Sequence, residues 1–276
     1  MSDSQLSVGA ALGYAWSLWR SHWREIWGVL ALNALACTVL FAGMFANNLL
    51  LMLAGVLGLV VTQFPVYGSI FRLAFGSDYP GDQRFALAHH GLQWRDIELK
   101  MLGSGALIFL FSAILALLMY VALLFGLGAL IYAQGLPLPK LLQSDPFQAA
   151  GAQGLQLHSI GNAIMQLALA FVWVRLSLSY PATSVSGRVQ VFRTWKLTRG
   201  HFWRLFLATM VLELPSALFV VLGNGAGLSM DGKPAPLEPG WTFFFSLACG
   251  GWAGAAAMPL AAGVQAYFYR NLKTAK

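Results

Sequence analysis

Charge is scarce in this chain: 10% of its 276 residues are charged and 58% are hydrophobic, whereas about a quarter of a soluble domain is charged. That scarcity, with a mean hydropathy of +0.66, excludes a water-soluble globular protein and indicates a polytopic membrane protein. Cysteine is nearly absent. Cys37 and Cys249 each fall inside an apolar run, which excludes a disulfide framework or a zinc site and leaves two small buried hydrophobes. Also missing are a glycine-rich phosphate loop and a nucleophile elbow; Gly126 and Gly128 lie in an apolar run and suit close helix packing. No catalytic residue, metal site or cofactor is expected. A net charge of +7 would suit nucleic acid only if the cations shared a soluble face. Here they sit in short loops beside apolar runs, so no nucleic-acid partner is expected. The first apolar run starts near Ile26 and no soluble domain follows it, so a cleavable export signal is not expected. With Ser2 and a final Lys276, neither is lipidation.

Apolar runs are what the chain does contain. Residues 5–24 place Val8, Leu12, Ala15, Trp16, Trp19 and Trp23 on one helical face, with Ser17, Arg20, Ser21 and Arg24 opposite, which predicts an interfacial helix anchored by indoles. Ile26–Ala46 carries no charge and is long enough to cross a core of about 30 Å at about 1.5 Å per residue. Asn47 and Asn48 turn the chain into a second span near 49–71. Further spans are predicted near 102–133, 155–179, 203–223 and 241–269. Residues 72–101 hold Arg72, Arg84, Arg95, Lys100, Asp78, Asp82, Asp96 and Glu98 and are expected to face water. With a cytoplasmic N-terminus, the inner segments hold two, four, six and three Lys or Arg, leaving only Lys140 and Lys233 outside. By the positive-inside rule both ends are cytoplasmic. The expected fold is an all-α membrane protein: six transmembrane helices in three hairpins, each preceded by a cytoplasmic interfacial amphipathic helix, in a single membrane domain.

The segment Arg188–Arg204, RVQVFRTWKLTRGHFWR, is the richest of the inner segments. Read as a helix, it places Val185, Val189, Phe192 and Trp195 on one side and Arg188, Arg193, Lys196, Arg199 and Arg204 on the other. Its end recurs. Trp23-Arg24-Glu25-Ile26, Trp94-Arg95-Asp96-Ile97 and Trp203-Arg204-Leu205-Phe206 precede the first, third and fifth spans. Trp16, Leu18, Arg20 and His22 also match Trp195, Leu197, Arg199 and His201. Either an internal repeat or the general gathering of aromatic and basic residues at an inner membrane surface accounts for this. These features, with the tract from Phe192 to Phe206 and the six spans, resemble the membrane domain joined to some bacterial glycerophosphoryl diester phosphodiesterases and its stand-alone inner-membrane relatives. The resemblance implies a bacterial inner-membrane location. The soluble catalytic barrel of those enzymes is not present, so their hydrolase activity is not implied.

Glu213 is the polar residue most in need of an explanation, because an acid at mid-span costs about 2.5 to 3.5 kcal/mol. Two residues on comes Pro215, which frees a carbonyl one turn earlier and would suit an ion or proton site. The alternative is a structural Glu213 that joins helices through Gln63, Gln166 or Gln265. His22, His201, His89 and His90 read as headgroup or phosphate contacts, since His22 and His201 have no second ligand one turn away and adjacent residues such as His89 and His90 face apart. Three functions follow. The first is a non-catalytic scaffold or regulator whose Arg20, Arg24, Arg95, Arg188, Arg193, Lys196, Arg199, Arg204, Trp195 and Trp203 contact membrane lipids with anionic headgroups, or a protein partner on the cytoplasmic face. The second is a small transporter or channel for a lipid or small solute, with Glu213 as the coupling or gating group and Pro65, Pro215 and Pro259 as hinges. A membrane-embedded lipid enzyme is the third and least supported.

Overall fold

The structure is a computed structural model and describes residues 6–134, 147, 151–226 and 239–274. Lys140, Lys233 and Lys276, and with them most of the second and third loops expected outside, lie outside the described residues. Every regular element among the described residues is helical, and six stretches are long and apolar enough to cross a membrane. The long elements are α1 (Val8–His22), α2 (Trp27–Phe45), α3 (Leu49–Phe75), α4 (Asp96–Gln134), α5 (Gly151–Leu176), α6 (Ser179–Ser186), α7 (Phe202–Ala226), α8 (Pro239–Trp252) and α9 (Met258–Thr274). The chain divides into two compact units, one formed by Met1–Ser104 with Ser177–Lys276 and the other by Gly105–Leu176.

In the larger unit α2 packs against α3 and α8, while α9 packs against α1, α3 and α7. Asn47 takes a left-handed conformation (φ 49°) and Asn48 caps α3 by accepting the Leu50 and Leu51 N–H groups at 3.0 and 3.2 Å. Asparagine tolerates such a turn better than other residues. The returning helices approach backbone to backbone at Gly43 and Gly55, where an added Cβ would fall 2.5 Å from Met52 N and 2.4 Å from Leu40 N. Lipid offers no hydrophobic driving force between helices, so this close approach through small residues supplies the attraction. The smaller unit packs Leu127 and Phe147 with Leu123, Leu130, Ile131 and Leu157.

The sixth span is broken in the middle. A π turn, Ala253–Ala257, joins α8 to α9, and its wide register has Met258 N–H bonding back to Ala253 O. The next residue, Pro259, has no N–H to give. Two side chains from elsewhere serve the carbonyls thereby left over: Asn33 Nδ2 donates to Gly254 O at 3.0 Å, and Trp19 Nε1 donates to Ala255 O at 3.0 Å. Thr62 completes the set by donating to Asn33 Oδ1 at 2.8 Å. Near Pro215 in α7, Trp252 Nε1 donates to Leu212 O at 3.0 Å, one residue on from Val211 O, the carbonyl that the proline leaves without its helical donor. Pro215 and Pro259, read from the sequence as hinges, thus sit beside carbonyls already held by donors.

Two expectations need correction. The surface segments before the third and fifth spans are not amphipathic α-helices. Residues 76–91 form three single turns of 3-10 helix, and after α6 ends at Gly187 (φ 66°) the chain makes only the five-residue 3-10 turn Phe192–Lys196. Thr194 and Thr198 donate to Val191 O and Trp195 O at 2.7 and 3.1 Å, local bonds that compete with a helix. Val185 is therefore buried while Val189 and Phe192 are exposed, so the four apolar residues do not share a face. Nor does the loop 72–101 face water throughout. Arg72 and Glu98 are 2% and 0% exposed and form a bidentate ion pair, with Arg72 Nη2 donating to Glu98 Oε2 at 3.0 Å. Glu98 sits third in α4 and accepts the Arg95 N–H at 3.0 Å, the acidic half of a capping box. That bond explains why α4 starts at Asp96, six residues before the predicted span. Arg72 Nε donates to Arg84 O at 3.0 Å. Gly68 makes room for the pair, because a Cβ there would fall 2.1 Å from Glu98 Oε1.

Candidate functional site

Within the larger unit, the 3-10 turn of the basic segment, the last turn of α9 and Tyr79 enclose a cavity of about 570 Å³. A 3-10 helix repeats every three residues, so Arg193 and Lys196 stand on one edge of their turn. Tyr269 and Lys273 are four apart in α9 and share a face. All four line the cavity, together with Tyr79, Ser186, Gln190 and Thr194. Lys273 Nζ donates to Tyr79 Oη at 3.3 Å. No acidic residue is among those lining the cavity. The nearest acid to these residues in sequence, Asp78, is held by Arg270, whose Nε donates to Asp78 Oδ2 at 2.9 Å. Three cations, two phenols and an amide therefore line one space with no counter-charge in its wall, while the Ser186 and Thr194 hydroxyls already donate to Arg188 O and Val191 O at 2.9 and 2.7 Å. That arrangement suits a phosphate-bearing anion, which accepts hydrogen bonds from ammonium, guanidinium and hydroxyl donors alike.

A second basic cavity, of about 350 Å³, is lined by Arg72, Arg84, Arg95, Gln83, Asp96 and Ile97. Its cations are already engaged. Arg72 is paired with Glu98; Arg84 Nε donates to Asp82 Oδ2 at 2.8 Å; Arg95 Nη1 donates to Gln83 O and Ala86 O at 3.2 and 3.3 Å. Hydrogen bonds from Arg84 hold the Asp82 carboxyl below the usual carboxylate range. This cavity is an ordered joint, whereas the first is an open cluster of like charge.

Of the residues singled out in the sequence, the structure gathers Arg193 and Lys196 and adds Lys273, Tyr79 and Tyr269, which sequence reasoning missed. Arg20, Arg24, Arg188 and Arg199 are exposed but do not line this cavity; Arg204 and Trp195 are half-buried and Trp203 is 69% exposed. The recurrent tryptophans have a common structural sense. Trp23, Trp94 and Trp203 are exposed, and two or three residues later Ile26, Ile97 and Leu205 are buried. Each pair sets an indole at the surface and a plug in the protein. The signal for Lys273 was its place four residues after Tyr269.

Glu213 does not join helices as one reading expected. It is exposed on α7, and among the described residues no hydrogen bond links it to Gln63 or Gln265. Its carboxyl lies within electrostatic reach of Cys37 and Tyr67. Gln265 is buried beside Tyr67, which stacks on Tyr180 at 5.2 Å. Gln63 is half-buried, and Gln166 is exposed on α5 in the other unit. Among the described residues, polar groups that do join spans include Asn33, Thr62 and Trp252. His89 and His90, expected to face apart, have ring centroids 3.6 Å apart because His90 adopts φ 55°. No family model, curated protein or solved structure matches the chain.

Proposed function

We propose that this is a non-catalytic polytopic protein of the bacterial inner membrane that scaffolds or regulates by holding anionic lipid headgroups on its cytoplasmic surface. In this reading the six spans form three hairpins with both ends cytoplasmic, and each hairpin follows a surface segment: α1, residues 76–95, and residues 188–201. The observation that carries it is the cavity where Arg193, Lys196 and Lys273 converge with Tyr79 and Tyr269 and no acid lines the wall. The positive-inside count supports a position for that cavity against the leaflet with anionic lipids. Each nearby cation contributes about 1 kcal/mol of attraction to such a leaflet.

The test is retention of phosphatidylglycerol by the purified protein in nanodiscs, read by native mass spectrometry. Arg193→Gln, Lys196→Gln and Lys273→Gln should each weaken retention about fivefold, and the triple change should abolish it. Arg188→Gln and Arg199→Gln, outside the cavity, should have smaller effects. Exposed charges are screened within about 10 Å at 0.1 M salt, so raising salt should mimic the substitutions. Retention indifferent to both the triple change and salt would overturn the proposal.

A further inference from the structure

A different site lies away from the cationic cavity, between the inner halves of α2 and α3. There a pocket of about 260 Å³ is lined by Val29 and Leu32 of α2, Val61, Thr62 and Pro65 of α3, and Leu92, Gln93 and Trp94 of the loop before α4. The loop is held in place tightly. His90 and Gly91 both take positive φ (55° and 72°), Ser69 Oγ donates to Gly91 O at 3.1 Å, and a Cβ on Gly28 would meet His90 Cβ at 2.9 Å. Gln93 is thereby pressed into the protein and is only 7% exposed.

The orientation of the Gln93 amide follows from its bonding. Ala88 N–H donates to Oε1 at 2.9 Å, so that end is the carbonyl, and the other end, Nε2, has two N–H groups and no partner. A buried donor of this kind calls for an acceptor. Water is a poor candidate. A buried water needs two to four polar partners, and the remaining polar group in the wall, Thr62 Oγ1, is already engaged with Asn33 and Gly58. The rest of the lining is apolar, and Leu32, Val61, Leu92 and Trp94 are exposed, which leaves the pocket open toward the acyl region of a bilayer. What fits is a molecule with one oxygen acceptor attached to an apolar chain.

We infer that this pocket binds a membrane lipid through its acyl ester, the ester carbonyl accepting from Gln93 Nε2 and the first part of the acyl chain lying against Val29, Leu32, Val61 and Pro65. Trp94 stands at the rim, where an indole prefers the boundary between headgroup and acyl regions. The site recognises the ester, not the headgroup, so it takes neutral and anionic diacyl lipids alike. It is independent of the cationic cavity.

The test uses the full chain in phosphatidylcholine nanodiscs doped with a lipid that carries a photoactivatable diazirine on its chain, in ester-linked and ether-linked forms. The ether form lacks the carbonyl. Crosslinks mapped by mass spectrometry should fall on residues 29–32, 61–65 and 92–94 with the ester lipid. They should drop about three- to fifteenfold with the ether lipid, the range one intramembrane hydrogen bond commands. Gln93→Met keeps length and apolar contact without the donor and should reduce ester labelling by a similar factor. Salt should change nothing, which separates this site from the headgroup cavity. Equal labelling by ester and ether lipids in the unmodified protein would overturn the inference, as would labelling absent from the pocket with both lipids. Should Gln93→Met not fold, the comparison of the two lipids decides alone.

Discussion

The two units are made from the same kind of apolar helix yet are closed by different means. In the larger one, polar groups fix the crossings: Asn33 on Gly254 O, Trp19 on Ala255 O, Trp252 on Leu212 O, and Arg72 on Glu98. The smaller one is closed by side chains such as Leu123, Leu127, Phe147 and Leu157, and its described inter-helix polar link is Gln134 to Gln153 at 3.0 Å among exposed residues. Directional bonds specify one geometry, while aliphatic packing accepts several. Both proposed binding sites are in the unit with the directional bonds, where cations and an amide are held in register.

The hardest way to break the larger unit is through its buried ion pair. Glu98→Leu leaves Arg72 charged and unpaired, which costs about 3 to 5 kcal/mol, and it also removes the acceptor for the Arg95 N–H. Thermal unfolding in detergent should show a large drop. The double change Arg72→Leu with Glu98→Leu should recover part of it, because no charge is then stranded; a double variant as unstable as the sum of the singles would show that the pair matters for more than charge balance.

Glycine substitutions sharpen the contrast at an intermediate scale. A Cβ at Gly55 would meet the backbone of Leu40, at 2.4 Å from N and 2.5 Å from Cα, whereas at Gly161 it would meet the end of the Leu123 side chain at 2.5 Å. Backbone cannot step aside and a leucine rotamer can. Gly55→Ala should lose about 1 to 3 kcal/mol through overpacking, and Gly161→Ala well under that. Melting temperatures that fall equally would mean that the smaller unit is as rigidly fitted as the larger.

The smallest effect is expected at the acid that takes part in neither kind of closure. Glu213→Leu removes an exposed carboxyl with no described hydrogen bond, so the melting temperature should hold or rise, since an acid in a span is itself unfavourable. A fall comparable to that of Glu98→Leu would reveal a partner for Glu213 and revive its reading as a joint.

Much of the architecture was legible in the sequence because span length is set by the bilayer. The expected span 26–46 is the helix Trp27–Phe45, and 49–71 begins with Leu49–Phe75 at the asparagine turn. Helix ends were less legible where a tertiary bond sets them. Asp96 begins α4 because Glu98 reaches back to Arg95 and across to Arg72, a partner 26 residues away that no local pattern announces. Arg72 was read as a solvated residue, and the structure buries it. The central segment misled for a related reason. Its aromatic and basic spacing fits a helix, but Gly187 and the threonine hydroxyls divert the backbone into a short 3-10 turn, and that turn is what lines up Arg193 with Lys196. Lys273 was invisible as a site residue until α9 brought it across 77 to 80 positions of sequence.

The carbonyls beside Pro259 have a consequence for the order in which the molecule is made. Their donors, Trp19 and Asn33, precede them by 236 and 221 residues, and chains are synthesised from the N-terminal side. On the ribosome, the indole therefore waits through five spans, and the amide through the four that follow its own, for acceptors that do not yet exist. When the sixth span arrives it brings two carbonyls that its own helix cannot satisfy. Closure is postponed to the last step of synthesis, and a truncated chain lacking that span leaves Asn33 without its acceptor in the membrane, a molecular sign of incompleteness.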